Sequence, residues 1–244
     1  MQEKNNIWIV VSIILSLGIV ISSFIMTNGF VQVKADKDTL TVKGSAKKEI
    51  KSDLVVWSGS FSYESSDLKQ AYNGIKDSQN KVQEYLINEG ISEDDIVFSS
   101  ISTIQINKIL PNGAYSNEVD RYKLQQTVEI RSKEIDKITE ISRRATDIIN
   151  EGVSFNSNMP QYFYTKLSDL KVDMIGLATE DSKKRAEKML STTGNSVGQL
   201  KSARVGVFQI TPLYSNEISD YGINDTSSVD KEITAVVECE FEVK

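Results

Sequence analysis

Hydrophobic and polar positions divide the chain into one long apolar run and, after it, an alternation of strand-like and helix-like periods. The run, Ile7 to Met26, carries no charge. At about 20 residues and ~1.5 Å rise per residue it matches a hydrocarbon core of roughly 30 Å, and it predicts one transmembrane helix. Residues 1–6 are then a short stub, 7–26 the anchor, 27–38 a linker and 39–244 a folded ectodomain. Two strands open that domain, Leu40–Ala46 and Asp53–Tyr63, the second setting Trp57 and Phe61 on the face opposite Val56. A helix capped by Ser66 follows, with Leu68, Ala71, Tyr72, Ile75, Val82, Tyr85 and Leu86 at helical spacing and Gly90 as its stop. Ile96–Gln105 and Tyr122–Arg131 read as a strand pair around the loop Lys108–Asp120.

The second half repeats the theme. Ile135, Ile138, Ile141, Ala145, Ile148 and Ile149 form the stripe of a helix over about Asp136–Asn150, and Gly152 opens a strand, Val153–Asn158. A helix from Thr165 to Thr193 stops at Gly194, with the charged stretch Glu180–Arg185 as its solvated part. Two last strands, Ala203–Tyr214 and Glu232–Val243, bracket the loop Ser215–Lys231. The predicted class is α+β, of order ββαββ then αβαββ, with helices packed on mixed or antiparallel sheet. The order hints at two related halves, which could share one sheet or form two, although no residue pattern repeats at a fixed period.

The membrane segment has a rival reading as a cleaved signal peptide. Such a peptide has a shorter apolar core followed closely by a small-x-small site, whereas the nearest candidate here, Val33-Lys34-Ala35, lies well past the run. An uncleaved anchor is the expectation. Lys4 on one side faces Lys34 and Lys37 on the other, so positive charge does not choose an orientation; the short stub makes an extracytoplasmic domain the ordinary arrangement.

Composition removes most catalytic equipment. The chain has no histidine and one cysteine, which excludes Ser-His-Asp and Cys-His sets, His-ligated zinc or haem, and an intrachain disulfide. With 28 Lys+Arg against 34 Asp+Glu the net charge is −6, and no window is basic enough to suggest nucleic acid as a partner. Cys239 shares a strand face with Val237 and Phe241 and reads as a buried thiol.

Several positions are similar to a known family. Val42-Lys43-Gly44-Ser45-Ala46, Ser52-Asp53, the stretch from Lys81-Val82 through Leu86 to Gly90-Ile91 and Asp95-Ile96, the Tyr122, Val128, Ile130 strand, and Ala186, Leu190, Gly194 and Gly198 resemble the SIMPL domain family over nearly the whole ectodomain. The resemblance implies a bacterial cell-envelope protein akin to periplasmic immunogenic and oxidative-stress-defence proteins, some of which assemble into hollow rings. It implies no catalytic motif. Here the chain departs from the commoner periplasmic pattern in its membrane-length segment and acidic last strand.

Each candidate site has a plain structural alternative. Glu93-Asp94-Asp95 lacks calcium-loop spacing and reads as a solvated turn. Gly194-Asn195-Ser196-Val197-Gly198 follows a helix and lacks the lysine of a phosphate loop, so it reads as a helix cap. Ser58, Ser60 and Ser62 line a strand with no base in view. The better candidates are the two loops, with Pro111 and Tyr115 in the first and Tyr214 and Tyr221 at and within the second, because Tyr among Gly, Asn and Ser makes adaptable contact surface. The expectation is a non-enzymatic plasma-membrane protein, single-pass, with no cofactor or metal, whose extracytoplasmic domain self-assembles and meets an envelope partner not specified by the residues. The alternative is a monomeric extracytoplasmic module that senses a ligand or partner. The helical stripe makes one prediction: Ile75→Asp unfolds the domain, because an unpaired buried carboxylate costs several kcal/mol. A soluble Ile75→Asp protein with a cooperative melt by circular dichroism would refute the helix assignment.

Overall fold

The computed structural model describes residues 15–26 and 38–244. Residues 15–26 form a helix, α1, exposed throughout. Residues 7–14 of the expected anchor, the stub 1–6 and residues 27–37 of the linker lie outside the described residues, and among the described residues no helix is long and apolar enough to cross a membrane.

The chain divides into two compact units, one of Met1–Ser45, Ile175–Gly206 and Val236–Lys244, the other of Ala46–Met174 and Val207–Ala235. The larger unit is organised around strand β2 (Leu54–Ser65), which follows β1 (Thr39–Lys51) and whose burial alternates residue by residue from Val55 to Phe61. The alternation is the period of a strand with one face on a core. On one side β2 pairs antiparallel with β5 (Tyr115–Ser132), from Val55↔Ser132 to Ser65↔Tyr122. On the other it pairs with β6 (Ser154–Ser157) and β7 (Gln161–Phe163). Strands β3 (Ile96–Phe98) and β4 (Ser102–Ile109) pair with the far side of β5 and complete this sheet.

Two helices cover its inner face. In α2 (Leu68–Asn88) Ala71, Ile75, Val82 and Leu86 are buried, and in α3 (Ile135–Arg144) Ile135, Ile138 and Ile141 are. They form one cluster with Val55, Trp57, Phe61, Leu124, Val128 and Ile130, each large side chain adding about 1.5–3 kcal/mol by leaving water. The helix cap is Asp67, whose carboxylate accepts from the Gln70 N–H at 2.7 Å, and not Ser66. Leu68 and Tyr72, placed on the apolar stripe by spacing, remain about half exposed because they border an open groove with Thr103 and Leu124 of the sheet.

A second sheet has the order β1-β11-β9-β10, with β8 also on β11. Here β8 is Val197–Val205, β9 Gln209–Pro212, β10 Ile223–Asn224 and β11 Asp230–Val243. In the larger unit Lys231–Thr234 of β11 pair antiparallel with β9, and β10 joins β9 in parallel, so this sheet is mixed. In the smaller unit the later half of β11 pairs with β8, from Val237↔Val205 to Val243↔Val197. Helix α4 (Leu167–Thr192) contributes its buried Ala178, Ser182 and Ala186 to that unit. A Cβ on Gly44 would sit 2.1 Å from the Ala178 carbonyl oxygen and 2.3 Å from the Ser182 nitrogen, so only glycine lets β1 approach the helix so closely. The Asp181 carboxylate, reached by the Ser45 N–H at 2.8 Å, fixes the approach beside it.

The α+β class holds; the short strands β7 and β10 are added to the expected order, and the strands fall into two sheets, each drawing on both halves of the chain. The expected bounds change where paired backbone overrides pattern. Strand β1 runs on to Lys51, with Ile50 buried. The expected strand Ile96–Gln105 is two strands, because the register on β5 slips by one residue between Phe98↔Val128 and Ser102↔Gln125. At that slip the Ser99 N–H bonds the Thr127 carbonyl and the Gln126 amide bonds the Ser99 carbonyl. The helix to Asn150 turns 3-10 at Ala145–Glu151, leaving Ile149 outside. The expected strand Ala203–Tyr214 is β8 and β9, and Gly198 lies in β8 with its Cα hydrogens against Glu242, so the Gly194–Gly198 segment is a helix stop only at its first glycine. Replacing Gly44 by Val is expected to lower stability by at least about 2 kcal/mol, since backbone must move to admit it. Urea titration followed by circular dichroism measures this, and an unchanged midpoint would contradict the close approach.

Candidate functional site

The strands β4 and β5 form a hairpin that outruns its sheet. Pairing of β5 with β2 ends at Ser65↔Tyr122, while pairing of β5 with β4 continues to Ile109↔Tyr115. Beyond Tyr122 the ribbon therefore has only its own two strands. No residue from 102 to 121 is buried. The ribbon shows solvent Ile104, Ile109, Leu110 and Tyr115, the last 75 % exposed. A two-stranded ribbon of this kind has little of its own to stabilise it.

Its turn is Leu110-Pro111-Asn112-Gly113. The Gly113 N–H donates to the Leu110 carbonyl at 2.8 Å, the Leu110 N–H donates to the Ala114 carbonyl at 2.8 Å, and Gly113 takes a φ of 82°. That is a type I turn closed by a left-handed residue, which Pro111 at the first corner and glycine at the last make possible. Lys108 and Glu118 face each other across the ribbon at 2.9 Å; their hydrogen bond raises the lysine pKa and lowers the carboxylate's. At the base Arg121 holds Glu64 at 2.7 Å and Asp120 at 2.6 Å. Beside the base lies an open apolar groove of about 670 Å³, lined by Leu68, Tyr72, Ile101, Thr103 and Leu124, with Asp67 and Lys69 at its rim.

Tyr115 is thus a strand residue and not a loop residue: the expected loop Lys108–Asp120 is mostly ladder, and only Leu110–Ala114 turns. The alternation of apolar and polar side chains through Ile104 and Ile106, with Ile109 three residues on, was the available signal, and Pro111, Asn112 and Gly113 drew the loop boundaries too wide. Pro111 stands at the exposed tip.

The second expected loop, Ser215–Lys231, carries Tyr221 at 98 % and Tyr214 at 91 % exposure, the latter with a φ of 63°. Among the described residues neither forms a hydrogen bond or ring contact with the ribbon. The loop is held from within. Lys231 is 2 % exposed and donates from Nζ to the Tyr162 carbonyl at 2.7 Å and to the Asp225 carbonyl. The Asp225 carboxylate lies 3.9 Å from Nζ and accepts from the N–H and hydroxyl of both Ser227 and Ser228. These groups bound a cavity of about 50 Å³ with Ile50, Tyr164, Leu167 and Ile210. Burial pushes the Asp225 pKa up, but the serine donors and Lys231 outweigh it and hold the carboxylate below 3.8. Burial lowers the Lys231 pKa, against the pull of Asp225. Sequence reasoning missed this latch, whose members lie in a stretch with no periodic signal.

The remaining candidates are placed as follows. Cys239 is a buried free thiol. Glu93–Asp95 form a 3-10 turn in which Glu93 accepts from the Gln83 amide at 2.8 Å. Ser58, Ser60 and Ser62 lie across from Glu129, Thr127 and Gln125 of β5. Among the described residues no group of three or more Cys, Asp or Glu is arranged to hold a metal.

Residues 40–241 match the model of the SIMPL family, described as a protein of unknown function (DUF541). No curated protein matches the chain.

Asp225→Ala leaves the four serine donors without their acceptor and the buried Lys231 ammonium without its counter-charge, and is expected to remove about 2–4 kcal/mol at neutral pH. Because the folded carboxylate titrates below its ordinary 3.8, its contribution is complete above that value and disappears as pH falls through the folded value. Urea unfolding at neutral pH and again below pH 3 checks both: the wild-type advantage should shrink in acid, and a constant difference would contradict the assignment.

Proposed function

From the premise that this chain belongs to the SIMPL family, we propose that it is a non-enzymatic cell-envelope protein, anchored in the plasma membrane by residues 7–26, which self-assembles through its extracytoplasmic domain. The observation that carries the reading is the ribbon. It presents Ile104, Ile109, Leu110 and Tyr115 to solvent on strands that no third strand supports beyond Tyr122. Apolar side chains on a marginal ribbon gain by contact with another surface, and a second copy offers both an identical ribbon and an apolar groove at its base. The free edge of β4 adds unpaired backbone that a neighbouring strand could share; Lys108 is its one charged residue.

The anchor rests on the uncharged run from Ile7 to Met26. Service in envelope or oxidative-stress defence rests on the family resemblance alone. The test is the mass in solution of the full chain in detergent, and of residues 36–244, by light scattering across a concentration series. A discrete assembly supports the reading; a monomer in both samples removes it. In the double variant Ile109→Ser, Tyr115→Ser, association should weaken by at least about tenfold, or ~1.4 kcal/mol. Its unfolding free energy should stay within about 0.5 kcal/mol of the parent, since neither side chain is buried.

A further inference from the structure

A second hollow, of about 490 Å³, opens on the other side of the larger unit. Helix α3 supplies Thr139, Ser142 and Arg143, the end of β6 Ser157, the segment after it Met159, and β7 Tyr162. Of its hydroxyl groups, those of Thr139, Ser142, Ser157 and Tyr162 have their protons committed, while the exposed Thr146 keeps its own. The Thr139 hydroxyl donates to the Ile135 carbonyl at 2.7 Å, so in its 2.9 Å contact with Tyr162 the phenol must be the donor. The Ser142 hydroxyl donates to the Thr139 carbonyl at 2.7 Å. The Ser157 hydroxyl donates to the Ser142 carbonyl at 2.7 Å while accepting from the Trp57 indole at 3.0 Å. Ser227 at the rim donates to Asp225 at 2.6 Å.

The inner hydroxyls therefore offer a visitor lone pairs, and the donors stand at Arg143, Thr146 and Asn158. It has one cation, Arg143, and no carboxylate in its lining. Among the described residues Arg143 has no ion-pair or hydrogen-bond partner, whereas the adjacent Arg144 holds Glu89 at 2.9 Å and Glu140 at 3.6 Å. Met159, 83 % exposed, and Pro160 add an apolar wall.

We infer that this hollow binds a polyhydroxylated carboxylate of monosaccharide size, the chemistry of a uronic acid, with its carboxylate on Arg143, its hydroxyl protons on the lone pairs of Ser142, Ser157 and Tyr162, and a C–H face against Met159. A ligand that brings hydroxyl donors suits Ser142, Ser157 and Tyr162, whose own protons are spent, and an anion suits the guanidinium, which has no counter-ion among the described residues. A sugar carboxylate brings both, together with an apolar ring face. The inference is independent of self-assembly.

Trp57 supplies a direct readout, since its indole N–H rests on Ser157. The full chain is labelled with 5-fluorotryptophan, Trp8→Phe assigning the second resonance, and titrated with D-glucuronate, glucose, acetate and glycine in parallel. Expected is a saturable shift of the Trp57 resonance with glucuronate, weakened at least about tenfold in Arg143→Gln and at least about tenfold weaker for each of the other three probes. Arg143 is exposed, so the variant should melt as the parent does. Four results would overturn the inference. They are no saturable shift, glucuronate affinity unchanged in Arg143→Gln, acetate binding as well as glucuronate, and glycine binding better than glucuronate.

Discussion

The larger unit is built around one requirement: the Trp57 side chain is fully buried, and its indole N–H must find an acceptor inside the core. Ser157 provides it at 3.0 Å, and Ser157 in turn donates to the Ser142 carbonyl of α3. A single chain of bonds thereby ties the central strand to β6 and to a helix. Gly59, two residues on, lets the Phe155 ring lie directly over the strand, where a Cβ would come within 2.2 Å of it. The ring then meets Trp57 at a centroid distance of 6.4 Å. With the strand and α3 locked in this way, α2 closes the remaining apolar face through Ala71, Ile75, Val82 and Leu86.

The same arrangement explains where the molecule presents surface. The core ends where β2 ends, at Ser65, but β5 and β4 keep pairing beyond it. Their side chains have no layer to pack against, so apolar residues that would be core in a longer sheet stay exposed. On the opposite side, the bonds that satisfy Trp57 and the α3 carbonyls use up the hydroxyl protons of Ser142 and Ser157, which gives the second hollow its acceptor character.

Much of the fold was legible in the sequence because periodicity is a local property. The stripe through Ile135, Ile138 and Ile141 and the alternation around Trp57 and Phe61 report a buried face without knowledge of its partner. The places where pattern misled are those where a partner decides. Tyr72 has the spacing of a core residue and borders an open groove that leaves it half exposed. Ile96–Gln105 has the composition of one strand and is broken because β5 accepts it only with a slipped register. Tyr115 stood out in the sequence by its neighbours, but its strand was hidden by the turn-forming Pro111, Asn112 and Gly113. Arg143 and the hydroxyl-lined hollow carried no signal at all, since Thr139, Ser157 and Tyr162 come together only through the β6 and β7 ladders on β2.

The residues alone determined the α+β class, the order of the elements, the family resemblance and the exclusion of histidine-based chemistry, because composition and period depend on nothing beyond the chain itself. Tertiary structure decided the split into two sheets, the ribbon that outruns its support, the latch of Lys231 on Asp225, and which hydroxyls keep a proton to offer. Each of these depends on which distant group satisfies a backbone or side-chain hydrogen bond, and that choice is made only when strands far apart in sequence meet.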